Sequence, residues 1–288
     1  MTSPYNDLER PPLNERALAR ALVRPGTLWR EIQVVPETGS TNADLAAAAR
    51  AGAPEGTVLV AEAQTTGRGR LGRTWQAPPR SGLTFSLLLR PQVAGVRQTW
   101  LPLLTGVAVT GAVGTMIARA DAGDFGSATG LRTPRLTLKW PNDVLAGDRK
   151  LGGILVERAG DAMIVGVGLN VSLRPDELPI ETATSLMIEN AAFTDREPLL
   201  RAVLREFDRW YAEWQGAGGD PERSGLGAAY RAVCATLGRD VRVELPGERA
   251  MSGVAYGVDD SGRLLLRTRE GDERAVSAGD VVHVRAGM

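Results

Sequence analysis

The chain has 288 residues and no formal net charge, with 34 basic side chains against 34 acidic ones. That balance argues against broad, sequence-independent nucleic-acid binding. A single cysteine, Cys234, excludes an intramolecular disulfide and a Cys-rich zinc site. A single histidine, His283, argues against Ser–His–Asp, Cys–His or multi-histidine chemistry and is expected to be structural.

The length suits about two domains. The first sixteen residues are polar and contain prolines, without the apolar core of a signal peptide. Asn14 is expected to cap a short helix that ends before Pro25 and Gly26, and residues 29–35 alternate as a strand. Ser40-Thr41-Asn42 opens a helix over 43–51 that Gly52 and Pro54 stop. Strands are predicted over 58–62 and 83–89. Residues 98–118 carry no charge, but Pro102, Gly106, Gly111 and Gly114, with Thr105, Thr110 and Thr115, hold the segment below a convincing membrane span. A core helix packed through its small residues is the expectation. Residues 121–134 read as a polar surface excursion.

Strands follow over 136–140, 150–157 and 162–167, with Ala146-Gly147-Asp148 as a turn. Helices are predicted over 195–214, whose apolar stripe has helical spacing, and over 227–237. From Gly238 the texture changes to short strands with hairpin signals at 259–262 and 270–272, the pattern of a small β-barrel. The expected organisation is an N-terminal extension over 1–28, a catalytic domain over 29–237 and a barrel over 238–288. A soluble, cytoplasmic protein is expected.

Chemistry concentrates in Gly67-Arg68-Gly69-Arg70-Leu71-Gly72-Arg73-Thr74-Trp75. Glycines let backbone approach a ligand, and arginines supply fixed positive charge. No acidic residue lies between Glu62 and Asp121 to neutralise it. The G-x-G-x-x-G spacing is not a Rossmann fingerprint, because Pro78, Pro79 and Gly82 follow where a helix must open. Kinase motifs and a phosphate-binding P-loop are absent. A cationic loop ending in an aromatic suits an anionic, nucleotide-like ligand; a solvated basic turn is the plain alternative.

Four further segments join it: Ser40-Thr41-Asn42; Gln64; Lys139-Trp140-Pro141-Asn142-Asp143 with Arg149-Lys150-Leu151-Gly152-Gly153-Ile154; and Gly166-Val167-Gly168-Leu169-Asn170. Each alone also reads as a helix cap, a turn or a packing device. Together with the loop, and in this order, they resemble the biotin protein ligases. The resemblance runs from about residue 31 to the C-terminus.

It implies an α+β catalytic domain of the class II aminoacyl-tRNA synthetase and biotin/lipoate ligase type, followed by an SH3-like barrel. Only about thirty residues precede the first expected catalytic strand, too few for the winged helix of regulatory members. The single-function enzyme, not a repressor, is therefore expected. By this resemblance biotin and Mg-ATP form biotinyl-5′-AMP and pyrophosphate, and a carrier lysine then takes the biotinyl group. Ser40, Thr41, Asn42 and Gln64 would hold the ureido ring. Arg68, Gly69, Arg70 and Lys150 would meet biotin and the reacting phosphate, with Gly152 and Gly153 admitting the ring and tail.

Lys139 and Asn142 are candidates for the triphosphate and its metal, and Asn170 for adenine or ribose. Trp75 would stack on adenine or cover the valeryl chain. Asp143 would align or deprotonate the incoming lysine, or only hold its turn. With no carboxylates at metal-ligand spacing, Mg²⁺ would arrive with ATP. The implied partner is the biotin carrier domain of an acetyl-CoA or other acyl-CoA carboxylase, with no nucleic acid or membrane, and the state a monomer or weak homodimer. A lipoate ligase, a nucleic-acid-binding regulator and a non-catalytic biotin sensor are the competing readings.

Overall fold

Alternation decides the main sheet. The computed structural model describes residues 10–121, 134–245, 249–277 and 279–283. After helix α1 (Glu15–Leu22), capped by the Asn14 side chain, come β1 (Glu31–Val35), α2 (Thr41–Arg50), β2 (Thr57–Ala61) and β3 (Gly82–Leu89). Helix α3 (Leu101–Asp121) precedes β4 (Leu136–Lys139), β5 (Asp143–Ala146), β6 (Arg149–Ala159) and β7 (Ala162–Asn170). Seven strands form one sheet in the order β1-β2-β3-β7-β6-β5-β4, antiparallel except for β1 with β2.

On β2, β3 and β7, Val58, Val60, Phe85, Leu87, Val165, Val167 and Leu169 point to one face. There they meet α1, α3 and the long helix α4 (Arg196–Gly216). Leu59, Leu88 and Ile164 point to the other face and meet Leu45 and Ala49 of α2. Helix α2 is only ten residues long and covers one end of that face. Beyond it the sheet presents small residues, including Gly166 and Gly168, and this uncovered floor is where the site forms.

Helix α3 is long and apolar enough to cross a membrane by composition. Here, however, Leu103, Leu104, Val107 and Val113 are buried against the sheet and α4. Gly106 lets it approach β4, since a Cβ there would lie 2.9 Å from both Leu138 methyls.

Helix α5 (Leu226–Val233) ends earlier than the sequence suggests. Cys234 instead bridges Leu138, the Ala235 N–H donates to the Leu138 carbonyl (2.7 Å), and the Thr236 hydroxyl accepts from the Trp140 N–H (3.0 Å). An exposed sheet edge needs such partners, and the demand outweighs continuation of the helix. Strand β5 was also not expected, because its four residues sit between two turn signals. Residues 122–133, most of the expected surface excursion, lie outside the described residues.

The remaining strands are β8 (Asp240–Leu245), β9 (Arg249–Val258), β10 (Leu264–Arg267), β11 (Glu273–Val276) and β12 (Asp280–His283). They form an antiparallel sheet in the order β11-β10-β9-β8-β12, of the SH3-like class, around Val241, Val243, Ala255, Leu264 and Leu266. Among the described residues β11 and β12 do not pair, so the ring is open. Two tryptophans fix this sheet to the first: Trp100 Nε1 donates to the Asp260 carbonyl and Trp140 Nε1 to that of Gly262, each at 3.0 Å.

Candidate active site

Thirteen of the site residues singled out in the sequence line one cleft of about 1340 Å³ between the two sheets: Ser40, Thr41, Asn42, Gln64, Arg68, Gly69, Arg70, Trp75, Lys139, Asn142, Asp143, Lys150 and Asn170. Its floor is the uncovered face of β3, β6 and β7. Its two ends differ in chemistry.

At one end the start of α2 assembles a hydrogen-bonded network of hydroxyls and amides. Ser40 caps the helix, its hydroxyl accepting from the Ala43 N–H. Gln64 Oε1 accepts from both the Thr41 N–H (2.8 Å) and the Thr41 hydroxyl (3.0 Å). The Ser86 hydroxyl, fully buried on β3, lies 2.7 Å from Thr41 Oγ1 and 2.6 Å from Asn42 Oδ1. Asn42 Nδ2 donates to the Leu155 carbonyl (3.3 Å) and to Glu157 Oε2 (2.8 Å). Thr41 and Ser86 together own two hydroxyl protons for three such contacts, so the network keeps spare acceptor capacity. It is complementary to a ligand that brings N–H groups.

The other end is cationic. Lys150 Nζ lies 2.7 Å from Asp143 Oδ1. Its backbone is clamped by residues 182–184, through Lys150 N–H to the Thr182 carbonyl (2.7 Å) and Thr184 N–H to the Lys150 carbonyl (2.8 Å). Burial, first of all, lowers the Lys139 pKa, with Lys150 and Arg73 adding to the effect and Asp143 opposing it. Burial likewise lowers that of Arg70, against the pull of Asp280 and Asp143. Lys139 and Arg70 are thus under-solvated cations, which gain most when an anion arrives. Asn142 holds Arg70, accepting at 3.0 Å, while its own Nδ2 donates to the Ile154 carbonyl. Asn170 donates to the Thr184 carbonyl at 2.9 Å.

The glycine–arginine loop crosses above the floor and folds on itself. Trp75 N–H donates to the Gly67 carbonyl, and Gly69 N–H to that of Arg73. The glycines serve different needs than the sequence suggests. A Cβ at Gly67 would lie 2.3 Å from the Trp75 carbonyl, and Gly72 takes a left-handed φ of +73°, so those two are required by the loop itself. Gly69 is unhindered and lines the cleft. Of the 152–153 pair only Gly153 lines the cleft; a Cβ at Gly152 would meet the Gly168 carbonyl at 2.7 Å. Gly152 therefore serves strand packing, not ligand access. The Trp75 ring lies on Gly168, where a Cβ would be 2.3 Å from Cε2, and beside Gly153.

Several lining residues were not foreseen. Asp280, Val282 and His283 of β12, with Arg239 just before β8, close the cleft from the second sheet. Arg73 pairs with Asp280, and Arg70 donates to the Gly279 carbonyl at 3.4 Å. These partners are separated by more than two hundred positions, a distance at which no motif signals contact. His283 keeps a structural bonding pattern although it faces the cleft. Arg239 donates to its Nδ1 (3.3 Å), so Nε2 carries the hydrogen and meets Thr236 Oγ1 (3.1 Å).

Residues 35–172 match the biotin/lipoate A/B protein ligase family, and residues 236–284 match the biotin protein ligase C-terminal domain. A biotin–[acetyl-CoA-carboxylase] ligase of Mycobacterium tuberculosis is 45% identical over 97% of this chain and 98% of its own length. The chain belongs to the biotin protein ligase family. A bifunctional ligase/repressor of Bacillus spizizenii is 32% identical over 78% of this chain, which spans 66% of that relative. Among solved structures, the Aquifex aeolicus biotin protein ligase in complex with biotin and ATP aligns over 90% of this chain and 100% of its own. Its TM-score is 0.68, at 28% identity. The Leishmania major biotin protein ligase in complex with biotinyl-5-AMP gives a TM-score of 0.58 at 27% identity, over 88% of this chain and 100% of that one.

Proposed function

We propose that the protein is a single-function ATP-dependent ligase that activates biotin as biotinyl-5′-AMP and transfers it to a lysine of a carboxylase biotin carrier domain. The observation that carries this reading is the polarity of the cleft, with a hydrogen-bonding network of hydroxyls and amides at one end and Arg70, Lys139 and Lys150 at the other. The ureido ring of biotin offers two N–H donors to Thr41, Asn42 and Gln64, of which Thr41 and Asn42 are backed by Ser86. A dithiolane head would leave that network unmatched, at a cost of about 1–3 kcal/mol per unsatisfied buried group, which disfavours a lipoate ligase.

In the first step a biotin carboxylate oxygen bonds to the α-phosphorus of ATP and pyrophosphate leaves. The barrier is like-charge repulsion, and Arg68, Arg70, Lys139 and Lys150 offset it with fixed positive charge. In the second step the carrier amine bonds to the carbonyl carbon of the mixed anhydride, AMP leaves, and the amine gives up a proton. Asp143 is freed as Lys150 turns toward the new anion, and it is placed to align or receive that amine.

Among the described residues, no three His, Cys, Asp or Glu side chains cluster as a metal site. The cleft carboxylates Asp143, Asp148 and Asp280 are each paired with a cation. These donors do not fit a resident metal, so Mg²⁺ enters as part of the Mg-ATP substrate. The near full-length match to the mycobacterial ligase supports the single-function reading; a cytoplasmic setting beside its carrier, as a monomer or weak homodimer, belongs to the same proposal. The test is biotin-dependent exchange between ATP and pyrophosphate, with lipoate as the contrasting substrate. Exchange with biotin and none with lipoate is expected; the reverse would remove this function.

A further inference from the structure

Glu157 lies just outside the cleft, on the same face of β6 as Gly153 and Leu155, and touches two residues that line the cleft. Its Oε2 accepts from Asn42 Nδ2 at 2.8 Å and lies 3.7 Å from Arg68 Nη2. We propose that Glu157 is a positioning residue that fixes the direction of the Asn42 amide and so makes the head-group end of the cleft select ligands with ring N–H donors. This inference rests on the biotin reading above and names a residue that determines specificity within it.

An asparagine amide has two orientations of nearly equal shape, and its neighbours choose between them. With Nδ2 toward Glu157, Asn42 Oδ1 faces Ser86 and the network accepts hydrogens. Flipped, Oδ1 would face a carboxylate and the Leu155 carbonyl, and Nδ2 would fill the acceptor that the ligand needs. The Leu155 contact, at 3.3 Å, favours the same orientation but is the longer of the two. Asn42 is almost fully buried, so water cannot substitute for a lost partner. The contact with Arg68 is the smaller effect. Both side chains are substantially exposed, and an ion pair of that length contributes little. What matters at position 157 is an acceptor, not a charge.

Glu157→Gln keeps an acceptor of the same shape; Glu157→Leu keeps the bulk and removes the acceptor. Steady-state exchange assays should show KM for biotin raised tenfold or more in E157L and less than threefold in E157Q, with KM for ATP unchanged in both. Unfolding midpoints confirm that each variant is folded; E157Q, being isosteric, keeps the comparison decisive if E157L unfolds. An unchanged biotin KM in folded E157L, an E157Q as impaired as a tenfold loss, or equal rises in both KM values would each overturn the proposal. Failure of the biotin reading itself looks different: the unaltered protein would then show no biotin-dependent exchange at all.

Discussion

Lys150 and Asp143 face each other at 2.7 Å across the β5–β6 hairpin, so an anion that draws Lys150 away also uncovers the Asp143 carboxylate. On the proposed mechanism the pair is a resting state, in which the cation assigned to the first step is held by the carboxylate assigned to the second. On that mechanism an arriving phosphate and carboxylate compete for Lys150, and the competition releases Asp143 for the amine.

Lys150→Ala therefore removes a charge that is fully used only when two anions are pressed together. Biotin-dependent exchange should fall by a hundredfold or more, about 2.7 kcal/mol of transition-state stabilisation. Undiminished exchange would take Lys150 out of the mechanism.

Asp143→Asn separates the steps. Formation of the adenylate should stay within a few-fold, because an amide no longer competes for Lys150. Transfer to the carrier should drop at least tenfold, about 1.4 kcal/mol. Single-turnover rates measured with preformed adenylate distinguish the two, and equal loss in both steps would reduce Asp143 to a turn residue.

Arg70 is held by Asn142 and the Gly279 carbonyl at the cationic end of the cleft. A charge-assisted hydrogen bond to the adenylate is worth about 1.5–3 kcal/mol. Arg70→Gly should still form some adenylate but release it roughly ten- to a hundredfold faster, labelling bystander proteins. Labelling confined to the carrier in a mixture would show that Arg70 does not retain the intermediate.

Gly168→Ala places a methyl where the Trp75 ring now lies. The ring is backed by its loop, so overpacking of about 1–3 kcal/mol is expected, together with weaker ligand binding. Thermal unfolding and calorimetry with biotin check both. An alanine variant with native stability and affinity would mean that the ring is free to move away.

The His283 pKa is depressed to about 4, first by burial and then by the Lys139 and Arg239 cations. An unfolded histidine titrates near 6.5, so between about pH 4 and 6.5 the unfolded chain binds more protons. The corresponding stability is fully present above that window and is lost as pH falls through it. Denaturant midpoints across these pH values should fall less steeply in His283→Gln; parallel curves would contradict the half-buried, neutral imidazole.

What the sequence made legible was local. The Ser40 cap, the loop from Gly67 to Trp75 and the Lys139–Asp143 segment each carry turn or cap chemistry within a few positions. Strand β5 was hidden because four residues between two turns show no period. The clamp of residues 182–184 on Lys150 and the arm of Asp280 and Arg239 over the cleft arise only when distant strands meet. Ser86 reads as a polar residue in an apolar strand until Thr41 and Asn42 are folded above it.

The most direct test is incubation of the purified protein with biotin, Mg-ATP and a carboxylase carrier domain, followed by intact mass of the carrier. One biotin added at one lysine, dependent on both biotin and ATP and absent with lipoate, is the expected result. A carrier of unchanged mass under conditions where the mycobacterial relative modifies it would contradict the proposed function.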